Sequence, residues 1–329
     1  MTGETSVNTN KNIHWSNVGE AGTYSGILFL LWVHKLFGRG VFSLALYPVM
    51  AYFILFRGVA RRASLDFLHT HYLCFPGYWQ RQPGYRDVFR HFIAFGQSIL
   101  DKMLAWTASM SESEFIVGDR KALDQLLSDP RGQLIIGSHI GNLEYCRGFV
   151  QRYKNRTINI LVYDQHAANF VEMMLRINSA SRVHVYQVDQ LDIPTMLKLK
   201  HKIDHGEWLF IAGDRIPLSG EKRTVAVEFM GRNAQLPIGP YMLAKTLQCP
   251  VKLMYSYRLE KKVFFDLVAF SEKVTLPRKD REAKLIELAQ RFAWELEKQC
   301  LKAPLQWFNF YPYWDDSQII DEGTKNEAA

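Results

Sequence analysis

Short apolar runs recur along the middle of this chain, most of them followed by stretches whose apolar residues step by three and four. The first pattern is that of buried strands and the second that of amphipathic helices. Strands are predicted at Leu134 to Gly137, Ile158 to Tyr163, Val183 to Val188, Trp208 to Ala212, Val225 to Phe229, Val251 to Tyr257 and Phe264 to Phe270. Helices are predicted at Leu143 to Tyr153, Ala167 to Asn178, Ile193 to His205 and Gly239 to Leu247, with a long one from Asp280 to Leu301. Strand and helix alternating at this length imply an α/β fold, a mostly parallel sheet with flanking helices. The aromatic stretch WFNFYPYW that follows reads as a strand or an extended edge.

Upstream the pattern changes. Ile27 to Leu36 is apolar and aromatic, Val41 to Phe56 carries no charge, and Arg57, Arg61 and Arg62 follow. As a helix the uncharged run spans about 24 Å, short of the roughly 30 Å hydrocarbon core, and Pro48 should kink it. With arginines at its end it is expected to seat on a membrane, spanning or interfacial, as an N-terminal hydrophobic helical anchor. A buried core helix is the competing reading. From Ala63 to Trp106 the spacing is helical again, through Leu65, Leu68, Tyr72, Phe92, Gly96 and Leu100, with a loop at PGYWQRQPGY. The chain is thus divided into a polar tail at 1–22, a membrane-associated segment at 23–62, one α/β domain at 63–315 and a polar tail at 316–329.

Composition narrows the function. A net charge of +7 favours an anionic partner, but the basic residues are scattered without an arm or a nucleic-acid motif, so nucleic acid is not expected. Four cysteines far apart, with no CxxC pair and no cleavable leader pattern, fit a reducing, cytoplasmic-side setting. There is no GxSxG elbow, Walker A loop or GxGxxG fingerprint.

The chemistry concentrates where Leu134 to Glu144, LIIGSHIGNLE, runs from strand through turn to helix. His139 and Glu144 stand five positions apart, about 500° of helical rotation, so they cannot pair on one helix. They can meet if His139 ends the strand and Glu144 leaves the first helical turn, with Asn142 as its cap. A carboxylate on one imidazole nitrogen leaves the other free to take a proton from a hydroxyl. A buried histidine beside a helix cap is the structural alternative. Asp214 and Arg215, in LFIAGDRIPLSG, should reach the same sheet edge, or else form an ordinary turn. Gly239, in EFMGRNAQLPIGPYMLA, opens a Pro-initiated helix whose free N–H groups suit a phosphate or an oxyanion. His201 and His205 share a helical face at metal-ligand spacing without a third ligand, and no metal is expected.

GSHIGNLE resembles the H-x4-D/E block of the lysophospholipid acyltransferase superfamily, in particular its bacterial lipid A acyltransferase branch, and the likeness runs from about Leu28 to Trp314. It implies a glycerolphosphate acyltransferase-like fold and transfer of a fatty acyl chain from an acyl carrier protein thioester to a lipid or glycolipid hydroxyl, on the cytoplasmic face of the inner membrane. It implies no cofactor. His139 would be the base and Glu144 its orienting acid, with Arg176, Asp214, Arg215 and Gly239 binding substrate. Arg147, Arg152 and Lys154 are the candidate rim for an acidic carrier protein. A phospholipid-type acyltransferase, a thioester hydrolase and a non-catalytic membrane-binding protein remain alternatives on the residues alone.

Overall fold

The computed structural model describes residues 24–106, 114–146, 156–163, 182–188, 191–216, 223–260 and 262–314. Both polar tails, the expected helix at 167–178, most of the one at 143–153, and Arg147, Arg152, Lys154 and Arg176 lie outside these residues.

The two apolar runs near the start join in one helix, α1 (Tyr24–Phe56), whose dihedrals break at Gly38 (φ 76°, ψ −176°) while the helix continues through Pro48. The expected kink therefore falls at the glycine, which alone accepts that φ without strain. Phe42, Leu46 and Met50 are buried at four-residue steps, whereas Leu44, Tyr52, Leu55 and Phe56 on other faces are exposed. Helices α2 (Gly58–Cys74) and α3 (Tyr85–Trp106) follow. Gly96 lets α1 lie close on α3: a Cβ there would stand 2.9 Å from Leu46 Cδ2 and 3.0 Å from Met50 Cε.

Among the described residues the main sheet holds seven strands, β1 (Phe115–Val117), β2 (Gln133–Gly137), β3 (Ile158–Val162), β4 (Val183–Gln187), β5 (Trp208–Ala212), β8 (Val251–Leu259) and β9 (Lys262–Ser271), in the order β1-β9-β8-β2-β5-β3-β4. Every pairing is parallel except β8 with β9. The buried β2 pairs with β5 on one side and β8 on the other. β1 and the nine-residue α4 (Arg120–Ser128), capped by Asp119, were not anticipated, being too short for their periodicity to register.

One strand expected in the sheet belongs elsewhere. β6 (Thr224–Phe229) and β7 (Arg232–Pro237) form a separate antiparallel hairpin. The two-residue turn between them, Met230 and Gly231, has φ of 53° and 70°, the left-handed pair that matches strand twist. A methionine there gives no turn signal, so the second strand was hidden. Helix α5 (Ile193–Asp204) precedes β5, α6 (Gly239–Leu247) precedes β8, and α7 (Arg281–Lys302) lays Leu285, Leu288, Phe292 and Leu296 into the core. The aromatic stretch forms no strand; it makes single bridges from Trp307 to Ile140 and from Trp314 to Ala234.

Candidate active site

Register brings the site together. Gly137 of β2 lies opposite Ala212 of β5, and the Gly213 N–H donates to the Gly137 carbonyl at 2.9 Å. Both chains leave the sheet together, so His139 and Asp214, each two residues further on, meet over the carboxyl edge, where open α/β sheets hold their ligands.

The contact has two points. Asp214 Oδ2 accepts the His139 backbone N–H at 2.8 Å, and Oδ1 lies 2.8 Å from His139 Nδ1. A carboxylate is an acceptor, so Nδ1 carries the proton and Nε2 is left as the basic nitrogen. The carboxylate at Nδ1 is that of Asp214. Glu144 leaves the first helical turn, is largely buried, and lies within electrostatic reach of Cys146. Its backbone N–H donates to Asn142 Oδ1 at 3.0 Å, the cap predicted from the sequence.

The turn is fastened from β8. Asn142 N–H donates to the Ser256 carbonyl (2.8 Å), Ser256 Oγ donates to the Asn142 carbonyl (2.5 Å), and the Cys146 thiol reaches Ser256 Oγ (3.3 Å). Gly141 is required here: its φ is +61°, and a Cβ would fall 1.9 Å from the Ser256 carbonyl oxygen.

The aromatic segment closes the site from the far end of the chain. Phe308 N–H donates to the His139 carbonyl (2.9 Å), Gly141 N–H donates to the Gln306 carbonyl (2.7 Å), and Trp307 Nε1–H donates to Asp214 Oδ2 (3.2 Å). Tyr313 Oη donates to the Asp214 carbonyl at 3.2 Å. Arg215 gives Nε–H to Asn309 Oδ1 (2.9 Å) and Nη2–H to the Phe308 carbonyl (2.7 Å). Asn309 Nδ2 is buried and has no hydrogen-bond partner among the described residues.

Electrostatics favour a neutral imidazole beside an ionised carboxylate. Burial first, then the Arg215 and Lys102 charges, lower the His139 pKa against the pull of Asp214. Burial would raise that of Asp214, but His139 and Arg215 outweigh it and hold it below the usual carboxylate range. The His139 side chain stays 30% exposed while Asp214 is fully covered, so the histidine is the member a substrate can reach.

Gly239 begins α6, where Pro240 has no N–H and the Tyr241 and Met242 N–H groups donate to the Ile238 carbonyl at 3.2 and 3.1 Å. Tyr241 on its first turn is within electrostatic reach of Tyr163 and Tyr313. His201 and His205 sit at the end of α5, where His205 Nδ1 donates to the His201 carbonyl at 2.7 Å. Among the described residues no three His, Cys, Asp or Glu side chains are placed to hold a metal. Trp307, Asn309, Lys102 and Ser256 were missed by sequence reasoning. For the first two the one available signal was the aromatic density of the 307–314 stretch, with Asn309 inside it.

A family model described as bacterial lipid A biosynthesis acyltransferase matches residues 10–315. No curated protein matches the chain.

Proposed function

The chain belongs to the bacterial lipid A biosynthesis acyltransferase family, and from that premise we propose that it carries a fatty acyl chain from an acyl carrier protein thioester to a hydroxyl of a lipid or glycolipid acceptor. His139 is the general base. Its Nε2 takes the proton from the acceptor hydroxyl as the oxygen attacks the thioester carbonyl. Asp214 keeps Nδ1–H in place and balances the imidazolium that forms. The tetrahedral oxyanion is held by Arg215, with Asn309 Nδ2 and the Gly239 N–H as further donors. As the C–S bond breaks, the imidazolium returns its proton to the departing thiolate, leaving ester and free thiol. No metal or organic cofactor enters the step. Glu144 is a second acidic group on the turn, proposed from the motif, and Arg176 a substrate-binding cation on the same ground.

The observation that carries this reading is the two-point grip of Asp214 on a partly exposed His139. The acceptor's place follows from the membrane seat we propose for α1. Trp32–Phe56 is long and apolar enough to cross a bilayer and is little buried. Beside it a groove of about 600 Å³, floored by Phe89, Ile93 and Leu305 and edged by Tyr47, Arg86 and Arg90, suits lipid chains below and anionic headgroups above. The cytoplasmic face of the inner membrane is where carrier-bound thioester and such a lipid meet.

The test is transfer by purified protein from acyl carrier thioester to a glycolipid acceptor, followed by mass spectrometry. His139→Ala and Asp214→Asn should each lose about 10²–10⁴-fold while the protein stays folded. Near wild-type turnover by His139→Ala would end the assignment.

A further inference from the structure

A second polar cluster lies on the other side of the motif, and the catalytic steps above do not use it. Asp101, on α3 and 3% exposed, takes Arg39 Nη2–H at 2.5 Å on Oδ1, Arg258 Nη2–H at 3.0 Å on the same oxygen, and Arg258 Nε–H at 2.9 Å on Oδ2. Arg39 directly follows the break in α1 at Gly38. Arg258 is on β8, two residues beyond the Ser256 that fastens the motif turn.

From Arg258 two short routes lead to that turn. Its Nη2–H donates to Tyr145 Oη at 2.9 Å, and Tyr145 is the neighbour of Glu144. Its backbone clasps the Gln306 amide at both ends, N–H to Oε1 at 2.9 Å and carbonyl from Nε2–H at 2.7 Å, while the Gln306 carbonyl accepts the Gly141 N–H. Asp101 is also adjacent in sequence to Lys102, whose charge acts on His139.

Burying such a cluster is expensive, and an apolar replacement of equal volume often stabilises a fold as well or better. Stability alone is therefore a weak reason for two guanidinium groups from distant elements to converge on one carboxylate. We propose that Asp101, held between Arg39 of α1 and Arg258 of β8, is a positioning group of the active site, so that the membrane-seated helix sets the geometry of the turn carrying His139. Helix α1 is then part of the catalytic architecture as well as an anchor. This rests on the acyl-transfer reading of His139.

The test uses the full chain in detergent micelles, where anchoring is not limiting. Asp101→Asn should lower kcat about ten- to a hundredfold, as misplacement by an ångström does, with KM for the thioester within about twofold. Asp101→Glu should restore part of the loss. Arg39 is the safer site, since its side chain is 36% exposed: Arg39→Gln should lower kcat in the same direction, and Arg39→Gln with Arg258→Gln should lose less than the product of the two single effects. A second readout needs no turnover. The pH dependence of His139 carbethoxylation, followed by peptide mass spectrometry, should move toward the ordinary histidine range in Asp101→Asn as Lys102 loosens. Wild-type kcat in both single variants, or independent multiplicative losses with an unmoved His139 curve, would overturn the proposal. Failure of the acyl-transfer reading shows differently, as an active His139→Ala protein.

Discussion

At the scale of single residues the site couples proton chemistry to charge. His139 has a lowered pKa because it is partly withdrawn from water and faces Arg215 and Lys102, so its imidazole stays neutral somewhat below the ordinary histidine range. The acid limb of kcat/KM should therefore lie below about pH 6.5. Removing a neighbouring cation favours the imidazolium and raises the pKa, so Arg215→Gln should move that limb to higher pH besides slowing turnover. An unmoved limb in that variant would show that Arg215 does not act on the histidine. His91 is a different case, wholly structural. Its Nε2 donates to the Trp307 carbonyl (3.0 Å), its Nδ1 accepts from Ser64 Oγ (2.9 Å), and burial, only partly offset by the Trp307 bond, lowers its pKa to about 4. The unfolded chain takes up this proton as pH falls through about 6.5, while the folded one resists it until about 4. Stability from His91 is thus complete above that window and lost as pH falls through it, by up to about 3 kcal/mol. Urea midpoints from pH 7 to 4 should show the loss in the wild type, and His91→Gln should flatten it. His139 and Asp214 were visible in the sequence because each follows an apolar strand. Asn309 and Trp307 were not, because their roles depend on contacts with residues more than ninety positions away.

At the scale of elements, what is regular and long was legible and what is short or twisted was not. The strand Trp208–Ala212 and the helix Gly239–Leu247 were bounded from periodicity alone, since flanking glycine, proline and polar residues punctuate them. The hairpin escaped because its turn puts Met230 at positive φ, and the aromatic segment because single bridges have no period. The seam between α1 and α3 makes a prediction of its own. Gly96 leaves room for Leu46 and Met50, so Gly96→Leu should push the helices apart and cost about 1–3 kcal/mol of overpacking strain. Thermal melting in detergent should show a lower Tm. An unchanged Tm would mean that the two helices do not depend on this close approach.

At the scale of the whole molecule, the function proposed for this chain of +7 charge would bring it to two anionic partners, a membrane surface and an acidic carrier. A carrier protein engages a broad surface, a small thioester only a local phosphate site. Steering of the former should fade as salt shortens the screening length toward about 8 Å. Turnover with the carrier thioester should fall steeply from low to physiological salt, and turnover with acyl-CoA should fall less. Reversal of charge at Arg147, Arg152 and Lys154 that left carrier-dependent turnover unaltered at low salt would remove the carrier from the proposal.

The long reach of the 303–314 segment has a kinetic consequence. The Trp307 carbonyl meets His91 from 216 positions away and its indole meets Asp214 from 93 positions away, so the site closes by contacts of very large sequence separation. Such contacts form late, because the chain between them must be ordered first. During refolding the amides that join β2 to β5, whose paired residues Ile135 and Phe210 are 75 positions apart, should gain protection from hydrogen exchange earlier. Those of Gly141 and Phe308, whose partners are Gln306 and His139, should gain it in a slower phase. The sheet would then be complete while the imidazole is still without its roof, and catalytic competence would return with the slower phase.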